Sequence, residues 1–349
     1  MLPLLLLLAG WATSNPRIEQ GRQVYRQACV QCHGQDGRGN PEWESEVRPV
    51  EFTDCGTTAE PTEFWESIVG RGGAAHGLAS VMPAFEGGLT RKEIAAVVAY
   101  LRTLCVTADA YPPGDLNFRR LLKTGKAFPE AEWVLRLSDG GGSETREGEL
   151  ELTYENRLGP RFQYEIEAPL LYAAPAGAAR GLGDLKVGGK QVLYFDLRRR
   201  EILSAGLGVT LPTGSGAKGL GNDTLSFGPF LAYGKAWGRT IVQTRAGVEL
   251  PADATKAPRR APYAVALSRA LGPARSAWTP ALELAGEVDT GSGRHRYGLW
   301  FEVSKPLTRL GHVIAAAGIQ VPIRPSAAPA RLELYVLWDF GDGSLWEGW

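Results

Sequence analysis

The sequence predicts two structural parts, an all-α domain followed by an all-β antiparallel barrel of about 12 strands. The spacing of apolar residues indicates this order, because its period changes from about 3.6 before residue 105 to about two beyond residue 131. The composition agrees, since 44 Gly and 10 Trp among 349 residues are typical of a β-rich chain with many turns. We expect these boundaries: signal peptide 1–14, α domain 15–105, linker 106–130 and barrel 131–349.

The chain begins with MLPLLLLLAGWATS, a run of Leu followed by small residues, which is typical of a secretory signal peptide. No Lys or Arg precedes the run, and a buried strand or an N-terminal anchor helix is the alternative. The run is too short to span a membrane as a helix, which takes about 20 residues. We therefore expect cleavage after Ser14 and export to an oxidising compartment.

Residues 28–34 read ACVQCHG, and the Cys-x-x-Cys-His spacing of Cys29, Cys32 and His33 predicts covalent attachment of haem c. Two thiols on one helical turn reach the two vinyl groups of a haem, and the adjacent His33 lies beneath the iron. Zinc would need a second pair of ligands, and a thioredoxin-like redox pair would follow a strand. The preceding RIEQGRQVYRQA is predicted to be helical, and the motif occurs once, so we expect one haem.

The second axial ligand of the haem iron is predicted by elimination. Met and His both ligate haem iron, and the chain has two Met, of which Met1 falls in the signal peptide. Met82, in SVMPAFEGGLT, is therefore the expected ligand. His76, in the preceding Gly-rich loop, is the alternative.

The last helix of the α domain is predicted from a capping box and an apolar face. Thr90 and Glu93 have the capping-box spacing. The apolar face that follows comprises Ile94, Val97, Val98, Leu101 and Cys105. In an exported protein the pair Cys55 and Cys105 is expected to form a disulfide, and two unpaired thiols are the alternative.

Residues 17–105 resemble a class I cytochrome c. Gly21 and Tyr25 match the contacts of that family's N-terminal helix, and Val97 and Tyr100 match the C-terminal helix that crosses it. The sequence MPAF matches the family's Met loop. The resemblance implies a haem crevice with His33 and Met82 on opposite faces of the haem, and Pro49 is a candidate for the Pro that supports the proximal His.

Beyond residue 131, apolar and polar residues alternate in about 12 segments. A soluble sandwich would bury the apolar side as a core, whereas an outer-membrane barrel turns it towards lipid. Strand lengths near the 9–11 residues needed to span, an even strand count and an aromatic C-terminus at Trp349 favour the barrel. Aromatic residues at strand ends are expected to form the interface girdles: Tyr194, Phe195, Trp237, Trp278 and Trp338.

The β region also resembles a known family in two motifs, GLGDLKVGGKQVLYF at 181–195 and VTLPTGS at 209–215. These motifs look like those of outer-membrane channel proteins linked to phenol-degradation operons. The order of the two parts is similar to that of the fused cytochrome–porin proteins of iron-oxidising bacteria. The second likeness is one of architecture, and it implies function only by analogy.

The sequence favours an electron carrier over a catalyst. We expect a haem c protein anchored in the outer membrane, with its cytochrome domain in the periplasm and periplasmic redox proteins as partners. Oxidation of Fe(II) is one candidate activity. A transport channel for a small solute, with the haem domain as plug or redox sensor, and a soluble periplasmic cytochrome with a β-sandwich are the alternatives. Lys and Arg, together 38, balance 38 Asp and Glu, which argues against nucleic-acid binding by bulk charge.

Overall fold

The structure, a computed structural model, describes residues 15–107, 110–141, 146–174, 180–273, 276–324, 330–341 and 344–346. The predicted signal peptide and Trp349 lie outside the described residues. The chain divides into two compact units. The first comprises Met1–Thr57 and Trp65–Ala108, and the second Thr58–Phe64 and Asp109–Trp349. No helix in the described part of the chain is long and apolar enough to span a membrane.

The N-terminal part contains the helices α1 (Pro16–Ala28), α2 (Val30–His33), α3 (Thr62–Arg71) and α4 (Arg91–Leu101). Helix α1 begins at Asn15, whose side chain accepts the backbone N–H of Arg17, and Pro16 occupies its first position. Helix α4 begins at Thr90 with the predicted capping box, in which Thr90 and Glu93 exchange hydrogen bonds. The capping prediction is therefore confirmed.

Helices α1 and α4 cross in direct backbone contact at Gly21. A Cβ at this position would lie 2.0 Å from the carbonyl oxygen of Ala96, so only Gly fits. The close approach buries Tyr25 completely and covers the predicted apolar face of α4. The buried core of the unit comprises Val24, Tyr25, Phe52, Trp65, Val69, Ile94, Val97, Val98 and Leu101.

The second unit is a closed antiparallel barrel. Its described residues form 12 long strands and two short ones, which are β4 and β9. The strands are β1 (Glu132–Gly141), β2 (Arg146–Arg157), β3 (Phe162–Ala174), β4 (Arg180–Leu182), β5 (Leu185–Asp196), β6 (Glu201–Leu211), β7 (Ser226–Trp237), β8 (Thr240–Gly247), β9 (Leu250–Pro251), β10 (Arg260–Arg269), β11 (Thr279–Asp289), β12 (His295–Pro306), β13 (Val313–Arg324) and β14 (Arg331–Asp339). Strand β1 pairs with β14 from Glu132↔Asp339 to Gly140↔Arg331, which closes the sheet. The barrel prediction is confirmed, and the sandwich alternative is wrong.

Side chains alternate along the strands between an apolar exterior and a polar interior. On β10 the exposed Val265 and Leu267 alternate with the buried Ala264, Ala266 and Ser268. Buried charged residues on the inner side of the strands include Glu132, Glu151, Glu155, Lys190, Glu283, Glu302, Glu333 and Asp339. Exposed apolar residues include Leu135, Leu152, Ile166, Leu207, Leu231, Phe301, Ile319, Leu332 and Val336. The apolar band therefore faces outward, as in barrels that lie in lipid.

The two ends of the barrel differ in their connections. The terminal end, defined by the start of β1 and the end of β14, carries the short turns 158–161, 197–200 and 238–239. The distal end, defined as the opposite one, carries the two longest connections, 212–225 and 248–259. The aromatic residues predicted as girdles all lie near the terminal end, and Tyr194, Trp237 and Trp278 are exposed there.

The structure corrects the predicted linker. Residues 110–130 belong to the same compact unit as the strands. Much of this stretch is buried, including Leu116, Phe118, Leu122, Phe128 and Glu130. A free linker would leave these apolar side chains in water, whereas the barrel interior removes them from it. We call residues 116–130 the lumenal segment.

Candidate functional site

The haem attachment motif lies where helix α1 passes into α2. Cys29 ends α1 and precedes α2, and Cys32 and His33 follow within the single turn of that helix. The backbone N–H of His33 donates to the carbonyl of Cys29 at 2.9 Å, which keeps the three side chains on one turn. The chain then leaves the helix at Gly34, whose φ of 74° is in the left-handed region.

The thiols of Cys29 and Cys32 are free and half-buried. Burial, together with the neighbouring Cys32, raises the pKa of the Cys29 thiol to about 11, and burial also raises the pKa of Cys32. A thiol–disulfide oxidoreductase needs the opposite change, because its reactive cysteine has a lowered pKa. The environment of the pair therefore does not fit thiol redox catalysis.

The imidazole of His33 is held by apolar contacts. Its ring stacks on Phe52, with centroids 4.6 Å apart and planes inclined by 27°. Burial lowers the pKa of His33, and the backbone of Val50, the residue after Pro49, offsets part of this effect. The Nδ1 atom is buried and meets no acceptor in hydrogen-bond geometry among the described residues. A neutral imidazole of this kind is suited to ligate a metal.

Met82 lies in a loop that is pinned to the end of α3. Its carbonyl accepts the N–H of Gly73 at 3.0 Å, and its own N–H donates to Ala79 at 3.3 Å. The next turn of the loop is fixed by the N–H of Phe85, which donates to Val69 at 3.1 Å. The Met82 side chain is half-buried.

His76 has a different environment from that of Met82. Its side chain is buried, and Nε2 lies 3.2 Å from the hydroxyl of Ser67, within hydrogen-bond distance. A ring nitrogen engaged with a protein partner is not free to ligate iron unless that contact breaks. The geometry therefore favours Met82 over His76 as the axial ligand.

Cys55 and Cys105 form a disulfide with a Cα–Cα distance of 5.2 Å. The bridge links residues 50 positions apart in the sequence. It joins the 3₁₀ turn at Cys55–Ala59 to the segment after helix α4. Both ends lie in the first unit, so the bridge constrains the domain that carries the haem motif.

The residues of the first unit fit a covalently attached haem. Two free thiols one helical turn apart would serve as attachment points, and the half-buried His33 beside them would offer a ring nitrogen to the iron. Cys29 and Val30 pack against the apolar core that contains Phe52 and Trp65, which gives a macrocycle an apolar wall. In the described residues, no three His, Cys, Asp or Glu side chains form a group that could hold a metal ion.

The lumenal segment packs against the barrel wall through apolar side chains. Leu116, Phe118 and Phe128 belong to a buried cluster with Val192 and Ile202. Leu122 belongs to a second buried cluster with Val134, Ala264, Ala285, Trp300, Ile314, Ala316, Tyr335 and Leu337. The segment therefore fills part of the barrel interior as a packed element.

Hydrogen bonds also tie the backbone of the lumenal segment to the strands. Its amides donate to Glu302 from Leu122 at 2.9 Å and to Glu283 from Thr124 at 2.8 Å. Wall side chains donate to its carbonyls: Gln243 to Arg119 at 2.9 Å, Lys190 to Lys126 at 2.8 Å, Ser204 to Ala127 at 2.5 Å and Tyr335 to Arg120 at 2.6 Å. These bonds satisfy backbone groups that are removed from water.

Ion pairs neutralise the charges of the lumenal segment. Arg120 contacts Glu132 at 2.6 Å and Glu155 at 2.9 Å. Lys123 contacts Glu333 at 2.5 Å. Lys126 contacts Glu130 at 2.6 Å and Glu132 at 3.2 Å. Because a buried unpaired charge is costly, this pairing explains why the segment and wall carry complementary charge.

Two cavities lie on either side of the lumenal segment within the second unit. The larger, of about 740 Å³, is bounded by distal residues such as Val248 and Glu249 and by Leu122 and Gly125 of the segment. The smaller, of about 380 Å³, is bounded by Arg200, Arg239 and Asp339 near the terminal end. Arg120 lines both cavities, so the segment divides the barrel interior between them.

Comparison with known proteins gives one family match, which falls in the N-terminal part of the chain. Residues 16–101 match the family described as cytochrome C oxidase, cbb3-type, subunit III. The chain therefore joins a part that is similar to this cytochrome family to a closed 12-strand barrel. No curated protein gives a significant match to the chain.

Several solved structures are similar to the barrel. An outer membrane channel from Pseudomonas putida F1 is 16% identical, with 65% of this chain and 98% of that chain covered, at a TM-score of 0.46. The NanC porin is 10% identical, with 59% of this chain and 98% of that chain covered, at a TM-score of 0.45. The KdgM porin is 10% identical over the same shares, at a TM-score of 0.44.

Proposed function

We propose that this protein is a haem c electron-transfer protein, anchored in the outer membrane by its barrel. It passes electrons between a donor or acceptor at the barrel and periplasmic cytochromes. The observation that carries the proposal is the turn with free Cys29 and Cys32 followed by His33, in a cytochrome c domain that shares its chain with an apolar-faced barrel.

The residues have distinct roles in holding the cofactor. Cys29 and Cys32 would hold the haem through two thioether bonds, and His33 and Met82 would ligate its iron. Haem c supplies one-electron chemistry, and Met as an axial ligand raises its potential relative to a second His. Phe52 fixes the orientation of the His33 ring through the stacking contact. The Cys55–Cys105 disulfide constrains the same unit that carries the motif.

The outer membrane is the location that suits the barrel surface. Its exterior band is apolar, its interior is charged, and β1 pairs with both β2 and β14, which closes the sheet. Outer-membrane barrels have short periplasmic turns and longer extracellular loops. The short turns 158–161, 197–200 and 238–239 lie at the terminal end, where β1 begins and β14 ends, and the two longest connections lie at the distal end. This supports a periplasmic terminal end, and with it a periplasmic cytochrome domain.

The proposed carrier role requires an electron path between periplasmic partners and a molecule outside the cell. A periplasmic cytochrome domain can exchange electrons with soluble periplasmic redox proteins. The hydrocarbon layer is about 30 Å thick, so a single haem cannot bridge it unless the external donor or acceptor enters the barrel. The larger cavity, on the distal side of the lumenal segment, is the place that could receive such a molecule. Fe(II) or another reduced donor is consistent with this arrangement, as is flow in the reverse direction.

A transport channel is the competing function. The lumenal segment weighs against it, because Leu122 and Phe128 are packed into the barrel interior and the segment lies between the two cavities. A solute would have to displace a buried segment that is held by ion pairs and hydrogen bonds.

Cell fractionation with haem staining tests attachment and location together. We expect peroxidase-active haem on a single band in the outer-membrane fraction. The variant Cys29→Ala with Cys32→Ala should lose the stain, whereas the matched control Cys55→Ser with Cys105→Ser should keep it. Haem in the soluble periplasmic fraction would contradict the anchoring role.

Purified protein in liposomes then tests the electron path. With the distal end outward, Fe(II) added outside should reduce the haem, and a periplasmic-type cytochrome enclosed in the vesicle should reoxidise it. A haem that stays oxidised with Fe(II) and with other external reductants would argue against the conduit.

A further inference from the structure

The distal cavity contains a cation that lacks an ion pair. Arg245 lies on β8, and its side chain lines the cavity beside Gly125 of the lumenal segment. A Cβ on Gly125 would lie 3.3 Å from a terminal nitrogen of Arg245, so the guanidinium reaches the floor of the cavity. Gly125 has a φ of 69°, which suits the turn that the segment makes there.

The other cations that line the cavity have carboxylate partners. Arg136 pairs with Glu151 at 2.9 Å, Lys186 with Glu167 at 3.2 Å and Arg296 with Glu287 at 2.5 Å. Arg120 and Lys123 pair with carboxylates of the wall.

Arg245 differs from these five. Glu165 and Glu167 attract it electrostatically. Among the described residues, however, none forms an ion pair or a hydrogen bond with its guanidinium, and Glu167 is already paired with Lys186. Its N–H donors therefore remain available to a ligand in the cavity.

The guanidinium is held in place by an aromatic ring. The Cζ atom of Arg245 lies 3.8 Å from the centroid of the Phe230 ring. This stacking occupies one face of the guanidinium and leaves its edge, which carries the N–H fork, free to bind a carboxylate in bidentate fashion. A preoriented fork loses less entropy on binding than a mobile side chain would.

The rest of the cavity offers apolar and aromatic surface. Phe230, Trp300 and Tyr335, which occupy inward positions of their strands, line it together with Pro262. A ligand that satisfies both features carries one negative group and a planar apolar body.

We propose that the distal cavity is a binding site for a small organic monocarboxylate, with Arg245 as its anchor and the aromatic wall as the surface for its apolar part. One cation without an ion pair corresponds to one negative charge on the ligand, because the other five cations of the lining already pair with carboxylates. Glu249, at the distal rim, is exposed to water and does not offset Arg245 at the floor. The site consists of barrel and lumenal-segment residues, so this proposal does not depend on whether the chain carries a haem.

Calorimetric titration of the purified holoprotein in detergent tests the site with three probes. Benzoate carries both the charge and the ring, benzamide carries the ring without the charge, and acetate carries the charge without the ring. We expect benzoate to bind, and benzamide and acetate each to bind about tenfold more weakly or worse. Absence of benzoate binding, or equal affinities for benzoate and benzamide, would overturn the proposal.

Two variants locate the site. Arg245→Gln should weaken benzoate binding about tenfold or more and leave the weak benzamide affinity unchanged. The matched control Arg296→Gln removes a cation of the same cavity that Glu287 already pairs, and should change benzoate affinity by less than about threefold. Unchanged benzoate binding in Arg245→Gln would refute the assigned anchor.

The folding of each variant is checked by its haem spectrum and by heat-dependent migration in gels. If Arg245→Gln fails to fold, Arg245→Lys keeps the charge and loses the planar fork. It should still weaken benzoate binding several-fold, and wild-type affinity in that variant would contradict the proposal. The comparison of benzoate with benzamide on the wild-type protein remains decisive in either case.

Discussion

The carboxylate of Glu283, on strand β11, accepts the backbone N–H of Thr124 at 2.8 Å and so holds the lumenal segment against the barrel wall. The same carboxylate accepts the N–H of Lys123 at 3.1 Å and the hydroxyl of Thr124. Hydrogen bonds to a charged group contribute about 1.5–3 kcal/mol each. Glu283 is completely buried, so water cannot replace it easily in this role.

Glu283→Ala should therefore loosen the lumenal segment and open the barrel. In planar bilayers we expect low ion conductance from the wild-type protein and frequent, larger openings from the variant. Glu287→Ala is the matched control, since Glu287 lies on the same strand and pairs with Arg296 rather than with the segment. Equal conductance in the Glu283 variant and the wild type would show that the segment does not close the pore.

Met82→Ala should lower the midpoint potential of the haem, because loss of the thioether leaves iron with a harder ligand or with water. The charge-transfer absorption of a Met-ligated ferric haem should disappear with it. His76→Ala is the comparison, since His76 is hydrogen-bonded to Ser67 and is not the expected ligand. A Met82 variant with an unaltered spectrum and potential would transfer the ligand role to His76.

The parts that were predictable from the sequence are those governed by local spacing. The capping box of Thr90 and Glu93 is a pattern of four neighbouring residues, and it appears as expected at the start of α4. The barrel strands were predictable for a related reason. Lipid on one side requires apolar residues at every second position, as Val265 and Leu267 illustrate.

The lumenal segment was not predictable from local pattern, because the groups that hold it are far away in the chain. Leu122 bonds to Glu302, which is 180 residues away in the sequence, and Thr124 bonds to Glu283, which is 159 residues away. One signal was present in the sequence. The run LNFRRLLKTGKAF has too many Leu and Phe residues for a solvated linker, and its Arg and Lys residues require carboxylate partners inside a barrel. Because this run has no regular helix or strand period, the pattern alone did not indicate that it is buried.

Removal of the Cys55–Cys105 disulfide should destabilise the cytochrome domain. The bridge closes a loop between residues 50 apart, for which the chain-entropy model gives about 4 kcal/mol. Denaturant titration of the Cys55→Ser, Cys105→Ser double variant, followed through the haem absorption, should show a lower midpoint. The same midpoint in the variant and in the non-reduced wild type would indicate that the bridge is not formed.

Tyr25 should make the cytochrome domain sensitive to alkaline pH. Burial raises the pKa of its phenol well above the usual value near 10, and the hydroxyl donates to the carbonyl of Gly34 at 2.7 Å. The neutral phenol is therefore favoured in the folded state, and its contribution is fully present below pH 10. Above pH 10 the unfolded chain loses the proton while the folded chain keeps it, so the free energy of unfolding falls by up to about 1.4 kcal/mol per pH unit.

Denaturant titrations at several values above and below pH 10 measure this dependence. Tyr25→Phe should be less stable at neutral pH, since it loses the bond to Gly34, but its stability should decline less steeply at high pH. Tyr100→Phe, whose ring packs against Tyr25 and is only partly buried, is the matched control. Parallel curves for the wild type and Tyr25→Phe would exclude Tyr25 as the source of the dependence.

The apolar exterior of the barrel predicts that the effect of an introduced charge on folding depends strongly on where the charge is placed. Val265, near the middle of β10, is 46% exposed and pairs in register with Leu284 of β11. Val265→Arg places a cation at the centre of the lipid-facing band, where it should cost about 2–4 kcal/mol of folding free energy in a membrane. Leu158→Arg is the control, because Leu158 is an equally apolar, 67% exposed residue that lies in the turn 158–161 beyond the strands.

Folding into phospholipid vesicles, followed by heat-dependent migration in gels, should be impaired for Val265→Arg and nearly normal for Leu158→Arg. Equal folding of both variants would mean that the exterior band does not lie in lipid, since a surface in water tolerates Arg at either position.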